Sequence, residues 1–307
     1  MMIKPSVAKA NKPLRKPDWL KISIRSTDNY SHTSETLSSG GLHTICASGR
    51  CPNMHECWSR GTATFMICGN DCTRACRFCA TNSCAKPAPV DPLEPRRLAA
   101  SVAQMKLKYA VITSVDRDDM DDYGAGHWAA CVGAVKDRCP ETTVEVLIPD
   151  FQGDLDCLQK VLDVKPDVVG HNLETVRRLT PTVRHRATYD TSLKVLRAIS
   201  DRGFVAKTGI MVGLGETPEE VEELMRDCVA NGVSTLTIGQ YLRPSKRNIE
   251  VVEYVHPDQF AEYKRIGEAL GLTHVESGPL VRSSYHADSQ FVKAKEQKSL
   301  RDLGKAK

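Results

Sequence analysis

Long apolar runs are missing from this chain of 307 residues. No stretch approaches the roughly 20 apolar residues that a bilayer-spanning helix needs, so no membrane span is expected. Charge of one sign is lacking too: a net charge of +4 is too mild to argue for nucleic acid as a partner. Aromatics make up only 6% of the residues, although a hydrophobic share of 41% suffices for a core. The N-terminal end has no apolar segment of the secretory type. It is basic at first, with Lys4, Lys9, Lys12, Arg15, Lys16 and Lys21, and then polar from Ser31 to Gly41. Residues 1–41 therefore read as a loosely held arm and not as a targeting peptide. The length allows one large α/β domain or two ordinary ones.

Cysteine, by contrast, is plentiful, at twelve residues. Without a secretion signal this usage reads as metal and thiol chemistry in the cytoplasm, not as a disulfide framework. The densest stretch is CGNDCTRACRFC, from Cys68 to Cys79. Its last three cysteines, Cys72, Cys76 and Cys79, are spaced C-x3-C-x2-C, with Phe78 just before the last. A loop this short cannot bury three thiols in one direction, and soft thiolates at such density select zinc, cuprous copper or an iron–sulfur cluster. Three ligands also leave one metal position open, as a site that does chemistry requires. A four-thiolate zinc site that adds Cys68 is the rival, but zinc ligands usually come as paired C-x-x-C arms on separate hairpins.

A second set, Cys46, Cys51 and Cys57, lies in residues 42–62 with spacing C-x4-C-x5-C. Gly49, Pro52 and Asn53 are turn formers that let this loop wrap a metal, and His43 and His55 stand beside it as ligands or as bystanders. Two three-cysteine sets this close together point to two metal centres.

From residue 63 onward strand and helix signals alternate, which predicts a parallel α/β fold. Strands are expected at 64–68, 110–115, 143–148, 168–171, 205–212 and 234–240, with a short one near 273–276. Helices are expected at 96–107, 126–138, 155–164, 192–202, 218–231 and 258–270. Six such units without a G-x-G-x-x-G fingerprint suggest a partial (β/α)6 barrel related to the (β/α)8 type, spanning 63–277. Its chemistry would gather at the C-terminal ends of the strands, where the Cys68–Cys79 loop falls. Four further cysteines, Cys131, Cys139, Cys157 and Cys228, fall on predicted helices or their ends and read as ordinary semi-buried residues.

C-x3-C-x2-C with an aromatic before the last cysteine resembles the signature of the radical S-adenosylmethionine enzymes. The resemblance implies that Cys72, Cys76 and Cys79 hold a [4Fe–4S] cluster whose fourth iron is chelated by S-adenosylmethionine. One electron passed to the sulfonium then yields a 5′-deoxyadenosyl radical that removes a hydrogen atom from carbon. Other strand ends become informative in that light. Ser114 ends the second strand, and the acidic turn 116–119 after it could be a magnesium site or a solvated loop. Asn172 and Glu174 lie two apart after the fourth strand, so an extended segment would turn both to the barrel mouth. Arg184 and Arg186 follow, and a guanidinium suits a carboxylate such as that of methionine. Phe78, Ser114, Asn172, Glu174 and Arg184 are therefore the expected cofactor contacts. The glycine turn Gly213-Leu214-Gly215 is either room at the mouth or a structural turn.

The last segment, 278–307, contains Arg282-Ser283-Ser284-Tyr285 and then a basic tail. Together with both cysteine sets, TSVDRDD and GLGET, it resembles the lipoyl synthases from about residue 43 to residue 288. The resemblance implies an auxiliary [4Fe–4S] cluster on Cys46, Cys51 and Cys57, completed by a serine. That serine is Ser284, with Ser283 as second choice, and its weak ligation suits a cluster that is dismantled as the sulfur source. The implied reaction is sulfur insertion at C6 and C8 of an octanoyl chain on a lysine of a lipoyl carrier domain. The implied partners are 2-oxoacid dehydrogenase E2 subunits or the glycine cleavage H protein as carrier, a ferredoxin or flavodoxin as electron donor, and an iron–sulfur carrier protein. Cys84 is an extra thiol near the first set. A biotin-synthase-like sulfur inserter fits less well, because it does not account for the C-x4-C-x5-C set or for Arg282–Tyr285. A two-cluster electron carrier would have no use for 200 residues of βα scaffold.

Overall fold

In the computed structural model residues 15–21, 27–60 and 62–291 are described. Lys4, Lys9 and Lys12 of the expected arm and residues 292–307 of the basic tail lie outside the described residues. Among the described residues a 3-10 turn (Asp18–Leu20) is followed by α1 (Asp28–Ser39), β1 (His43–Thr44), α2 (Ile45–Ser48) and α3 (Met54–Ser59). Then come β2 (Thr64–Ile67), the short β3 (Asp71–Cys72) and β4 (Asn82–Ser83), α4 (Glu94–Gln104) and β5 (Tyr109–Ser114). The middle consists of α5 (Ala125–Arg138), β6 (Thr143–Leu147), α6 (Leu155–Asp163), β7 (Val168–Gly170) and α7 (Thr180–Val183). The last elements are α8 (Tyr189–Asp201), β8 (Val205–Val212), α9 (Pro218–Ala230), β9 (Thr235–Gln240), α10 (Pro257–Leu270) and β10 (His274–Gly278).

Near-continuous apolar runs become strands covered on both faces, as in β2 and β9, where every residue is buried. The sheet order is β1-β2-β5-β6-β7-β8-β9-β10. From β2 to β10 all neighbours pair in parallel, and only β1 runs antiparallel to β2. The sheet does not close between β2 and β10, so the barrel is open along that side. Helices start where capping chemistry allows. Thr217 and Glu220 form a capping box around Pro218 at the start of α9.

Two segments remote in sequence span the open side. Asn53 Nδ2 donates to the Leu280 carbonyl at 2.7 Å, Thr64 Oγ1 donates to Ser284 Oγ at 2.8 Å, and the Tyr285 hydroxyl donates to Glu56. Gly239 makes room for this: a Cβ there would meet the Val281 carbonyl oxygen at 2.1 Å. The glycine turn after β8 proves structural. Gly213 has φ +94, and a Cβ on it would strike Gln240 and the Glu253 carbonyl, while Glu216 accepts the Leu214 N–H.

One expectation needs correction. Part of the predicted loose arm is the helix α1, capped by Thr27 and packed through the buried Thr33, Thr36 and Leu37.

Candidate functional site

β2 delivers the cysteine loop at its C-terminal end, and β3 pairs with β4 to return the chain beside it. Cys72, Cys76 and Cys79 line a cavity of about 330 Å³ at the barrel mouth. Backbone donors are aimed at the sulfurs: Asp116 N–H and Arg74 N–H reach Cys72 Sγ at 3.3 and 3.4 Å, and His185 N–H reaches Cys76 Sγ at 3.3 Å. Burial pushes the Cys72 thiol up to about 12, and the charges of Asp116 and Cys79 push the same way. Burial likewise raises Cys76, to about 11, against the pull of the His185 hydrogen bond. Thiols crowded out of water resist ionising together, and a cation or cluster reverses that balance. The donor set fits an iron–sulfur centre.

The two other cysteines of the region stand apart. Cys68 is 2% exposed and turns its thiol toward Gly124, so the four-thiolate zinc arrangement does not form. Cys84 donates its N–H to the Cys72 carbonyl at 2.8 Å and is not among the residues that line the cavity.

A smaller lobe of about 130 Å³ continues the cavity, and Phe78, Ser114, Asn172 and Glu174 line both lobes. Phe78 also packs against Val183, Leu214 and Tyr241. Ser114 Oγ accepts the indole N–H of Trp128 at 3.1 Å, which leaves its own O–H to donate elsewhere. Asn172 Nδ2 donates to Glu174 Oε1 at 3.1 Å. The segment is not plain strand, because Glu174 sits at φ +66. Burial raises the Glu174 carboxyl, opposed by Arg184 and by the Asn172 hydrogen bond.

Arg184 lines the smaller lobe and is held by a relay the sequence did not reveal. Its Nη1 donates to Ser192 Oγ at 2.7 Å, and Ser192 Oγ lies 2.9 Å from His171 Nε2. His171 Nδ1 lies 2.9 Å from the Ile148 carbonyl, which can only accept. The proton therefore sits on Nδ1, and Nε2 accepts from Ser192. Burial and the Arg184 charge hold His171 down at about 4, so it stays neutral. Arg186 instead points outward, 3.7 Å from Asp118.

Asp118 of the acidic turn faces inward and is neutralised by arginine, while Asp119 is exposed. Arg74, from between the ligand cysteines, is 5% exposed and contacts Asp116 at 3.3 Å, Asp118 at 2.8 Å and Asp150 at 2.6 Å. Asp119 pairs with Arg117 at 2.8 Å. The only hint in the sequence was an arginine trapped inside a metal loop.

The second set also converges. Cys46, Cys51, Cys57 and Ser284 line one cavity beside Arg60, Thr64 and Arg282. Burial pushes Cys57 up to about 12, and the charges of Cys46 and Cys51 add to it. Burial raises Cys46 and Cys51 as well. This donor set, too, fits a cluster rather than three separate thiols. Ser283 faces the other cavity, lined by Cys72, Cys76 and Cys79, so Ser284 alone joins the second set. Neither neighbouring histidine lines this cavity: His43 is exposed, and His55 stacks on Tyr30 with ring centroids 4.9 Å apart. Arg282, unassigned beforehand, lines both cavities.

The chain is similar to known proteins in sequence and in fold. The Radical SAM superfamily profile matches residues 66–228. A lipoyl synthase from Phocaeicola vulgatus is 58% identical over 278 residues, covering 91% of this chain and 98% of that protein. One from Treponema denticola is 58% identical over 279 residues, covering 91% and 96%. Among solved structures, HydG, a maturase of the [FeFe]-hydrogenase, has a TM-score of 0.54 at 16% identity, covering 68% of this chain and 49% of its own. Methylornithine synthase has a TM-score of 0.53 at 14% identity, covering 78% and 73%. At such identities the likeness concerns the fold alone. The superfamily carries a [4Fe–4S] cluster and uses S-adenosylmethionine. With a matching superfamily profile and relatives of nearly its own length, this chain belongs to the lipoyl synthase family of radical S-adenosylmethionine enzymes.

Proposed function

We propose that this enzyme inserts two sulfur atoms, at C6 and C8, into an octanoyl chain amide-linked to a lysine of a lipoyl carrier domain. When bound, the radical-forming cluster and S-adenosylmethionine supply the hydrogen-abstracting radical, and the auxiliary cluster supplies sulfur. Cys72, Cys76 and Cys79 would hold the first cluster, and Cys46, Cys51, Cys57 and Ser284 the second. The observation that carries this reading is the meeting of Ser284 with three cysteines more than 200 positions away in one cavity, next to the cavity of the other set.

The remaining residues bind and orient. Arg184, fixed by Ser192, presents a guanidinium suited to the carboxylate of S-adenosylmethionine, and Glu174 with Asn172 offers acceptors for its amino group. Phe78 and Ser114 would frame the same ligand. Ile45, Pro52, Val115, Leu147, Met211 and Leu242 give the larger lobe an apolar wall that suits an eight-carbon chain and excludes water from it. The auxiliary loop itself contributes Ile45, Gly49 and Pro52 to that wall, with Arg50 beside them. A chain lying there would pass both cysteine sets.

As carriers we propose 2-oxoacid dehydrogenase E2 subunits or the glycine cleavage H protein. Ferredoxin or flavodoxin would serve as reductant, and an iron–sulfur carrier protein would rebuild the auxiliary cluster, all in the cytoplasm. Among the described residues no helix is long and apolar enough to cross a membrane. The test is anaerobic reconstitution with iron and sulfide counts, then incubation with S-adenosylmethionine, reductant and an octanoylated peptide. The expected products are 5′-deoxyadenosine and doubly thiolated peptide. Deoxyadenosine without thiolation would overturn the proposal.

A further inference from the structure

Three side chains that the proposed reaction does not use converge behind the cysteine loop. Glu94 opens α4, while His127 and Cys131 stand four residues apart on α5 and so share one face of it. A carboxylate oxygen, an imidazole nitrogen and a thiol sulfur from these residues all lie within 4.8 Å of one another. They are withdrawn from water: Glu94 is 4% exposed, Cys131 is fully buried, and the His127 side chain is 7% exposed. His127 Nε2 lies 2.6 Å from Glu94 Oε2, which also accepts the Cys68 N–H at 2.9 Å.

Cys68 joins this region through its backbone N–H on Glu94. Its backbone takes a left-handed conformation, φ +67, and its sulfur lies 3.6 Å from where a Cβ would stand on Gly124, the residue before α5. Such a conformation is uncommon for a side chain of this kind and marks a position held for a reason. An ion pair alone would account for Glu94 and His127 but would need neither thiol.

We propose that Glu94, His127 and Cys131 form a buried site for a borderline divalent cation, with zinc the best match. One sulfur, one imidazole nitrogen and one carboxylate oxygen form a set that zinc accepts and that calcium and magnesium do not favour. Charge balances too. A divalent ion with one thiolate, one carboxylate and a neutral imidazole is net neutral, which a buried site requires. Binding releases the Cys131 proton, and a neutral His127 that ligates through Nε2 carries its proton on Nδ1. The N–O separation of His127 and Glu94 then opens to about 3.3 Å, the span of two ~2.0 Å bonds at the tetrahedral angle. The Cys68 N–H stays on the carboxylate and orients it. Such an ion would pin α4 and α5 to the end of β2, the point where the cysteine loop departs. Neither of the two cavities described above is lined by Glu94, His127 or Cys131, so this inference is independent of the proposed reaction.

The test uses the full chain with its iron complement in place. Zinc is added, loosely held metal is stripped on a chelating resin, and retained zinc, iron and sulfide are counted. Zinc-edge X-ray absorption then reads the ligands without interference from iron. The expected result is about one zinc per chain, with sulfur at ~2.3 Å and nitrogen or oxygen at ~2.0 Å. Cys131→Ser and His127→Gln should each weaken zinc retention at least about tenfold with iron and sulfide unchanged. The unchanged iron shows that the variants fold, and two variants on different side chains keep the test decisive if one does not. No zinc kept by the iron-loaded parent chain, or equal zinc in parent and variants, would overturn the proposal.

Discussion

Cys76 and Cys51 stand in different cavities, and their loss should separate two activities. Cys76→Ala is expected to abolish cleavage of S-adenosylmethionine. Cys51→Ala should leave cleavage measurable but stop thiolation of the octanoyl peptide, as read by deoxyadenosine yield and peptide mass. Equal loss of cleavage in both would contradict this division. A subtler case is Ser192, which touches no cavity itself but holds Arg184 at 2.7 Å. Ser192→Ala leaves a guanidinium hydrogen bond and the His171 nitrogen without their partner, at about 1–3 kcal/mol. The KM for S-adenosylmethionine should rise about tenfold with little change in kcat, and Ser192→Thr should restore it. A kcat loss at unchanged KM would count against the positioning role. The cysteines were legible as ligands because their chemistry is local. Ser192 was not, because a hydroxyl on a helix has no distinguishing pattern until its neighbours are known.

At the scale of elements, the C-terminal segment docks because Gly239 in β9 leaves no side chain in its way. In Gly239→Ala the added Cβ would meet backbone oxygen at 2.1 Å, so the segment rather than a flexible side chain must move. Ser284 and Arg282 would move with it. The expected result is about half the parent's iron per chain, with cleavage of S-adenosylmethionine retained. Full iron content would refute it. Helix and strand positions agreed with expectation to within a few residues where apolar periodicity was strong, as in α9 and β8. α1 escaped notice for a physical reason. Its buried face carries Thr33, Thr36 and Leu37, two of them polar, so its sequence reads as a solvated run.

At the scale of the whole molecule, Arg74 ties the cysteine loop to the turns after β5 and β6. Removing one partner of a buried network leaves charges unpaired, so Arg74→Gln should destabilise the chain by about 3–5 kcal/mol in denaturant unfolding. Burial alone would raise the Asp150 carboxyl, but the hydrogen bond and charge of Arg74 prevail and hold it at about 2. A carboxyl held down in this way stabilises the fold above its ordinary pKa, near about 4, and the gain fades as pH falls toward about 2. The stability difference between the metal-free parent and Asp150→Asn should shrink over that window. A constant difference would remove Asp150 from the network.

Spacing within one loop was enough to assign thiol chemistry to Cys72, Cys76 and Cys79, because ligands within eight residues of chain must lie near one another whatever the fold. Alternating apolar and helical periods were likewise enough for a parallel α/β barrel. Which thiols stand aside, which serine joins Cys46, Cys51 and Cys57, and what neutralises the acidic turn were decided only by tertiary structure. Those pairings join residues from separate strands and termini, and chain order carries no distance between them until the open barrel folds and its free edge is covered.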